Sequence, residues 1–62
     1  MSIFDATPED VAKAMKDAEY TADEVAKGIK KAYNPSHEDI ADALSYAGYS
    51  SDEIDGALIS VA

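Results

Sequence analysis

The chain has no cysteine, no tryptophan and no arginine, and only one histidine, two prolines and three glycines among its 62 residues. Without cysteine no disulfide can staple the fold, and no thiolate is available as a nucleophile or metal ligand. No apolar run approaches the roughly 20 residues of a membrane span. The start, Met1-Ser2-Ile3-Phe4-Asp5, lacks the basic stretch and apolar core of a secretory signal. The expectation is a soluble, cytoplasmic protein. Large apolar side chains are also few. The 47% hydrophobic fraction contains twelve alanines, which leaves about sixteen bulky residues from Ile3 to Val61. That suffices for one thin core in a single domain spanning 1–62, and not for a deep ligand pocket.

Positive charge is scarce and unevenly placed. The net charge is −8. Residues 1–35 hold seven acids and all five lysines, a net of −2, whereas residues 36–62 hold six acids and no base, a net of −6. Such a chain is unsuited to a bare phosphate backbone or an anionic membrane, both of which need clustered Lys and Arg. An acidic face suits a basic protein surface instead.

What the chain does have is a repeat. Thr7-Pro8-Glu9-Asp10-Val11-Ala12, Thr21-Ala22-Asp23-Glu24-Val25-Ala26, Ser36-His37-Glu38-Asp39-Ile40-Ala41 and Ser50-Ser51-Asp52-Glu53-Ile54-Asp55 open four units at spacings of 14, 15 and 14 residues. A shift of 29 carries residues 7–33 onto 36–62, with eight identities in 27 positions and conservative swaps such as Val11/Ile40 and Met15/Leu44. A duplicated helical hairpin is the simplest account, with Asn34-Pro35 between the copies.

Each opening has the chemistry of a helix start. Thr7, Thr21, Ser36 and Ser50 stand at N-cap positions, where a hydroxyl accepts from a free backbone N–H. An acid follows three residues later: Asp10, Glu24, Asp39 and Glu53. With Glu this is a capping box, and Asp favours the helix dipole. Pro8 falls at the first helical position, where its missing N–H costs nothing. Tyr20 and Tyr49 before the caps, with Val25 and Ile54 four positions into the helices, read as hydrophobic staples. Gly48 can take the left-handed turn that ends the third helix.

Apolar residues recur at i, i+4 and i+7: Val11, Met15 and Ala18; Val25, Ile29 and Ala32; Ile40, Leu44 and Ala47; Ile54, Leu58 and Val61. The fold expected is all-α, four short helices in two duplicated hairpins, over about 8–19, 22–33, 37–47 and 51–61. Ile3 and Phe4 would cover an open end of the bundle or dock on a partner.

Catalytic chemistry finds no support. His37, at a first helical position, has no implied orienting partner. The carboxylate pairs Glu9/Asp10, Asp23/Glu24, Glu38/Asp39 and Asp52/Glu53 repeat at every helix start, so first-turn electrostatics explains them. Asp52-Glu53-Ile54-Asp55-Gly56 resembles part of a calcium loop, but with Gly56 at loop position 6 the twelfth position is Ala62, which cannot ligate. No enzyme activity, metal or cofactor is expected.

The two copies differ informatively. Tyr46 replaces Asp17, and Ile59 replaces Lys30, so two polar positions become large and apolar in the second copy alone. They either patch the interface between hairpins or form an exposed apolar spot rimmed by Asp42, Ser45, Asp52 and Asp55. Candidate partner-binding residues are therefore Tyr46, Ile59, Tyr49, Asp42, Asp52 and Asp55. Lys27, Lys30 and Lys31, in the second helix, serve a solvated face or meet the acidic second hairpin of another copy.

The stretch Leu44-Ser45-Tyr46-Ala47-Gly48-Tyr49-Ser50-Ser51-Asp52-Glu53-Ile54 resembles the helix–turn–helix joint of ubiquitin-associated (UBA-like) domains, which place a Gly-Phe or Gly-Tyr and a Ser there. Residues 11–46 can also be threaded through that family's three helices, with Glu19 in place of its glycine. The family contacts ubiquitin through a methionine–glycine–aromatic loop, whose place Ala47, Gly48 and Tyr49 take here. The chain also resembles tandem short-helix repeats of bacterial proteins with Ala-Gly-Tyr-Ser-like joints. The functional expectation is a non-enzymatic, acidic protein–protein interaction module. An acidic inhibitor that mimics nucleic acid on a basic protein surface and a self-associating structural domain are the alternatives.

Overall fold

The structure, a computed structural model, describes residues 7–62; Ile3 and Phe4 lie outside them. Four helices follow in order: α1 Pro8–Asp17, α2 Ala22–Tyr33, α3 His37–Ala47 and α4 Ser51–Ser60. All four starts are capped as the sequence predicts. Thr7 Oγ1 accepts from Asp10 N at 3.2 Å, Thr21 Oγ1 from Glu24 N at 3.3 Å, Ser36 Oγ from Asp39 N at 3.2 Å and Ser50 Oγ from Glu53 N at 3.3 Å. The reciprocal half of the capping box forms only where the acid is Glu. Thr21 N donates to Glu24 Oε1 at 3.0 Å, and Ser50 N donates to Glu53 Oε1 at 2.9 Å. Each cap is worth about 1 kcal/mol to a helix of three turns that could not persist alone.

The two helix–helix joints share one backbone design. In the second, Gly48 N donates to Ser45 O and Tyr49 N reaches back to Leu44 O, both at 3.1 Å, with Gly48 at φ 107°. In the first, Glu19 N donates to Lys16 O at 2.8 Å and Tyr20 N to Met15 O at 3.0 Å. This is the Schellman pattern, which requires a left-handed residue. Gly48 supplies it freely, whereas Glu19 is held there at φ 71°. The turn at Glu19 also explains why α1 stops at Asp17, two residues short of the length expected from its apolar pattern. Asn34, at φ 51°, makes the third left-handed turn, and Pro35 after it blocks continuation of α2.

The helices of each hairpin touch, but the more extensive packing is between hairpins, α1 on α3 and α2 on α4, while α1 and α4 do not meet. The Tyr49 hydroxyl donates to the Tyr20 carbonyl, so the two joints lie side by side and the paired helices run parallel. With α1 and α4 apart, α2 and α3 form the centre. They carry the four largest fully buried side chains, Val25, Ile29, Ile40 and Leu44. Burial of each contributes about 1.5–3 kcal/mol. Fully buried Ala12, Ala26, Ala43 and Ala57 let the backbones approach, and Met15, Ala47, Ile54 and Leu58 pack at the margin. Ala18 and Ala32, placed on the core stripe by periodicity, are exposed instead; α1 ends at Asp17, so Ala18 falls outside the helix whose period placed it.

Candidate functional site

The joint end of the molecule is built around Tyr49. Its phenol is buried, its hydroxyl is held by the Tyr20 carbonyl, and the Lys16 ammonium sits 5.5 Å from the ring centroid. The Lys16 stem reaches this place over Gly48, where an added Cβ would lie 3.6 Å from its Cε. Lys16 thus ties α1 to the α3–α4 joint by apolar contact and a cation–π interaction. Burial pushes the Tyr49 hydroxyl pKa up, and the carboxylates of Glu53 and then Glu24 add to the shift. Hydrogen bonds from the Ser50 backbone and side chain hold the Glu53 carboxyl below its ordinary range, with Lys16 assisting. Tyr49, a candidate partner-binding residue, is thus buried within the joint. Its repeat counterpart Tyr20 is the exposed one, at 47%.

Tyr46 and Ile59 both face solvent, at 59% and 77% exposure, and neither patches the contact between hairpins. They do not form one spot. Tyr46 lies at the end of α3 beside the joint, whereas Ile59 lies at the far end of α4, a climb of eight residues from Ser51, or about 12 Å. Each has its own acidic surroundings. Asp42 shares the Tyr46 face of α3 at i−4, Ser45 adjoins Tyr46 in sequence, and Asp55 and Asp52 precede Ile59 by one and two turns on α4; all are exposed.

A third surface was only partly recognised in the sequence, which singled out Lys27, Lys30 and Lys31 but not the groove they line. The first turns of α2 and α4 enclose an open groove of about 230 Å³ lined by Thr21, Ala22, Asp23, Asp52, Glu53 and Gly56. Their other ends enclose a larger one of about 390 Å³, where Lys27, Lys30, Lys31 and Asn34 face Val61 and Ala62. The signal was present: Asp23, Lys27, Lys30, Lys31 and Asn34 fall at i, i+4, i+7, i+8 and i+11. It is the polar counterpart of the apolar stripe, and only the parallel placement of α4 turns it into one wall of a groove.

His37 and the first-turn carboxylates are exposed, apart from half-buried Glu9, and their hydrogen bonds are those of capping. Among the described residues no group of three or more His, Asp or Glu side chains could hold a metal ion, and no helix is long and apolar enough to cross a membrane. Comparison with protein-family models, with curated proteins and with solved structures gives no match to the chain.

Proposed function

We propose that the chain is a non-enzymatic protein–protein interaction module whose partners present basic surfaces. The observation behind this reading is the exposure of Tyr46 and Ile59, which exceeds that of the other exposed large hydrophobic side chains among the described residues, Tyr20 and Tyr33. Free water contact at Ile59 is unfavourable by about 1.5–3 kcal/mol relative to full burial, which a partner can recover. Tyrosine is among the side chains that most often anchor an interface. Asp42 one turn from Tyr46, and Asp55 one turn from Ile59, would choose among partners by charge and speed encounter with basic ones. The UBA-like joint is outside the proposal, because the aromatic that would serve it, Tyr49, is buried.

The test is affinity capture with wild-type bait and with bait carrying Tyr46→Ala and Ile59→Lys, both checked for helix content by circular dichroism. Both positions are exposed, so the variant should fold normally. It should lose partners that the wild type retains, and added salt should weaken that retention. Partners retained equally by both baits would refute the reading.

A further inference from the structure

The face shared by α2 and α4 carries charges of opposite sign at its two ends. Asp23, Lys27, Lys30 and Lys31 on α2 are the repeat equivalents of Asp52, Gly56, Ile59 and Ser60 on α4, and all eight are exposed. Because the two helices run parallel, their acidic beginnings coincide at one groove and their other ends coincide at the second. Asp23, Asp52 and Glu53 put three negative charges at one end; Lys27, Lys30 and Lys31 put three positive charges at the other. Half a charge of opposite sign at each helix terminus leaves about two net charges at each end. Between Asp23 and Lys31 the rise is eight residues, or about 12 Å, so the two ends are separate but belong to one surface.

Such a face is complementary to itself when reversed. We infer that it takes a second copy of this chain, packed antiparallel about a two-fold axis, with the acidic end of each copy on the lysine end of the other. A two-fold contact satisfies both ends at once and closes at the dimer. Ile59, 77% exposed on the same face, would be covered in that arrangement. Gly56 at mid-face, where an added Cβ would meet nothing within 4 Å, leaves room for close approach. Three lysines concentrated in a chain of net charge −8 have their complement in the chain's own acidic end. This inference names the partner for the part of the interaction reading that rests on Ile59. Tyr46, on α3, is not involved.

Sedimentation equilibrium over micromolar to millimolar concentrations, at about 0.1 M salt, tests it. The weight-average mass should rise from 6.6 kDa towards twice that value and stop there. Lys30→Glu with Lys31→Glu, and separately Asp23→Lys with Asp52→Lys, should each raise the dissociation constant at least tenfold, and an equal mixture of the two should dimerise again. Ile59→Asp, a change at a solvent-exposed site, removes the apolar cover and sets a like charge against the acidic end of the other copy, so it should weaken the dimer without altering the circular dichroism. A wild type that stays monomeric at millimolar concentration overturns the inference. So do charge variants that dimerise as well as the wild type, while growth past the dimer overturns the two-fold arrangement. A monomeric wild type whose partner capture still depends on Tyr46 would leave the interaction reading standing and remove only the self-association.

Discussion

Replacing Glu19 with glycine should stabilise the domain by about 1–2 kcal/mol, the cost of holding an ordinary residue in left-handed geometry. Glu19 stands at φ 71° in a joint whose backbone hydrogen bonds match those around Gly48 at φ 107°. The second copy uses the residue the geometry favours and the first does not. Some of the gain is offset because glycine is freer in the unfolded chain, so about 1 kcal/mol is the working figure. For 62 residues at about 2.1 cal/mol/K each, the unfolding entropy near the midpoint is roughly 130 cal/mol/K, which makes this a rise of about 8 °C in Tm. Glu19 also puts a negative charge just past the C-terminus of α1, where the helix dipole disfavours it. Glu19→Ala separates the two effects, since it removes the charge and keeps the Cβ. Thermal unfolding followed by circular dichroism should rank the proteins glycine, then alanine, then wild type, with the larger step between glycine and alanine. The converse change, Gly48→Ala, should cost about 1 kcal/mol. Its added Cβ would find only ordinary contact with Lys16, so the cost is in the backbone. Equal Tm values for Glu19→Gly and Glu19→Ala would refute the reasoning.

Two further outcomes concern the joint. Tyr49→Phe should cost about 1 kcal/mol, measured by urea unfolding, because the Tyr20 carbonyl loses its donor. Since the folded state raises the Tyr49 pKa, the protonated phenol favours folding. That contribution is complete below about pH 10, the unfolded value, and is lost as pH rises through the higher folded value. Alkaline destabilisation should therefore be shallower in Tyr49→Phe, and an unchanged alkaline limb would count against the burial of the phenol beside Glu53 and Glu24. Glu53 has the opposite sign: its folded pKa is lowered, so its stabilisation is present above the unfolded carboxylate value and disappears as pH falls through the folded one. Glu53→Gln can still accept from the Ser50 backbone N–H, so it should flatten the acid limb of a stability–pH curve while leaving helix content at neutral pH intact.

The helices were legible because their determinants are local. Four hydroxyl caps, two Glu capping boxes and Gly48 set the boundaries, and α2 and α3 span the residues that periodicity assigned to them. The shortening of α1 was not legible, because Glu19 carries no sign of its left-handed geometry. Pairing was only partly legible. An apolar stripe at i, i+4 and i+7 says that a face is buried, but not which helix covers it, and the extensive contacts run between hairpins. The candidate residues divide for the same reason. Tyr46 and Ile59 could be singled out as departures from the repeat, and they are exposed. Tyr49 matched its counterpart Tyr20 in sequence while differing from it in burial, since a hydrogen bond across 29 residues decides which of the two goes inside. The grooves of the α2/α4 face depend on two helices lying parallel, which no single-helix pattern encodes.

The dominance of contacts between hairpins has a consequence for how the chain folds. Each copy leaves its own stripe uncovered until the other arrives, so neither half is a self-sufficient folding unit. In kinetic terms the domain is a dimer of hairpins made unimolecular by three residues, Asn34, Pro35 and Ser36, between α2 and α3. A short tether replaces bulk concentration with a local one on the order of millimolar. The left-handed turn at Asn34 and the fixed φ of Pro35 restrict that tether further, which lowers the entropy lost when the halves meet.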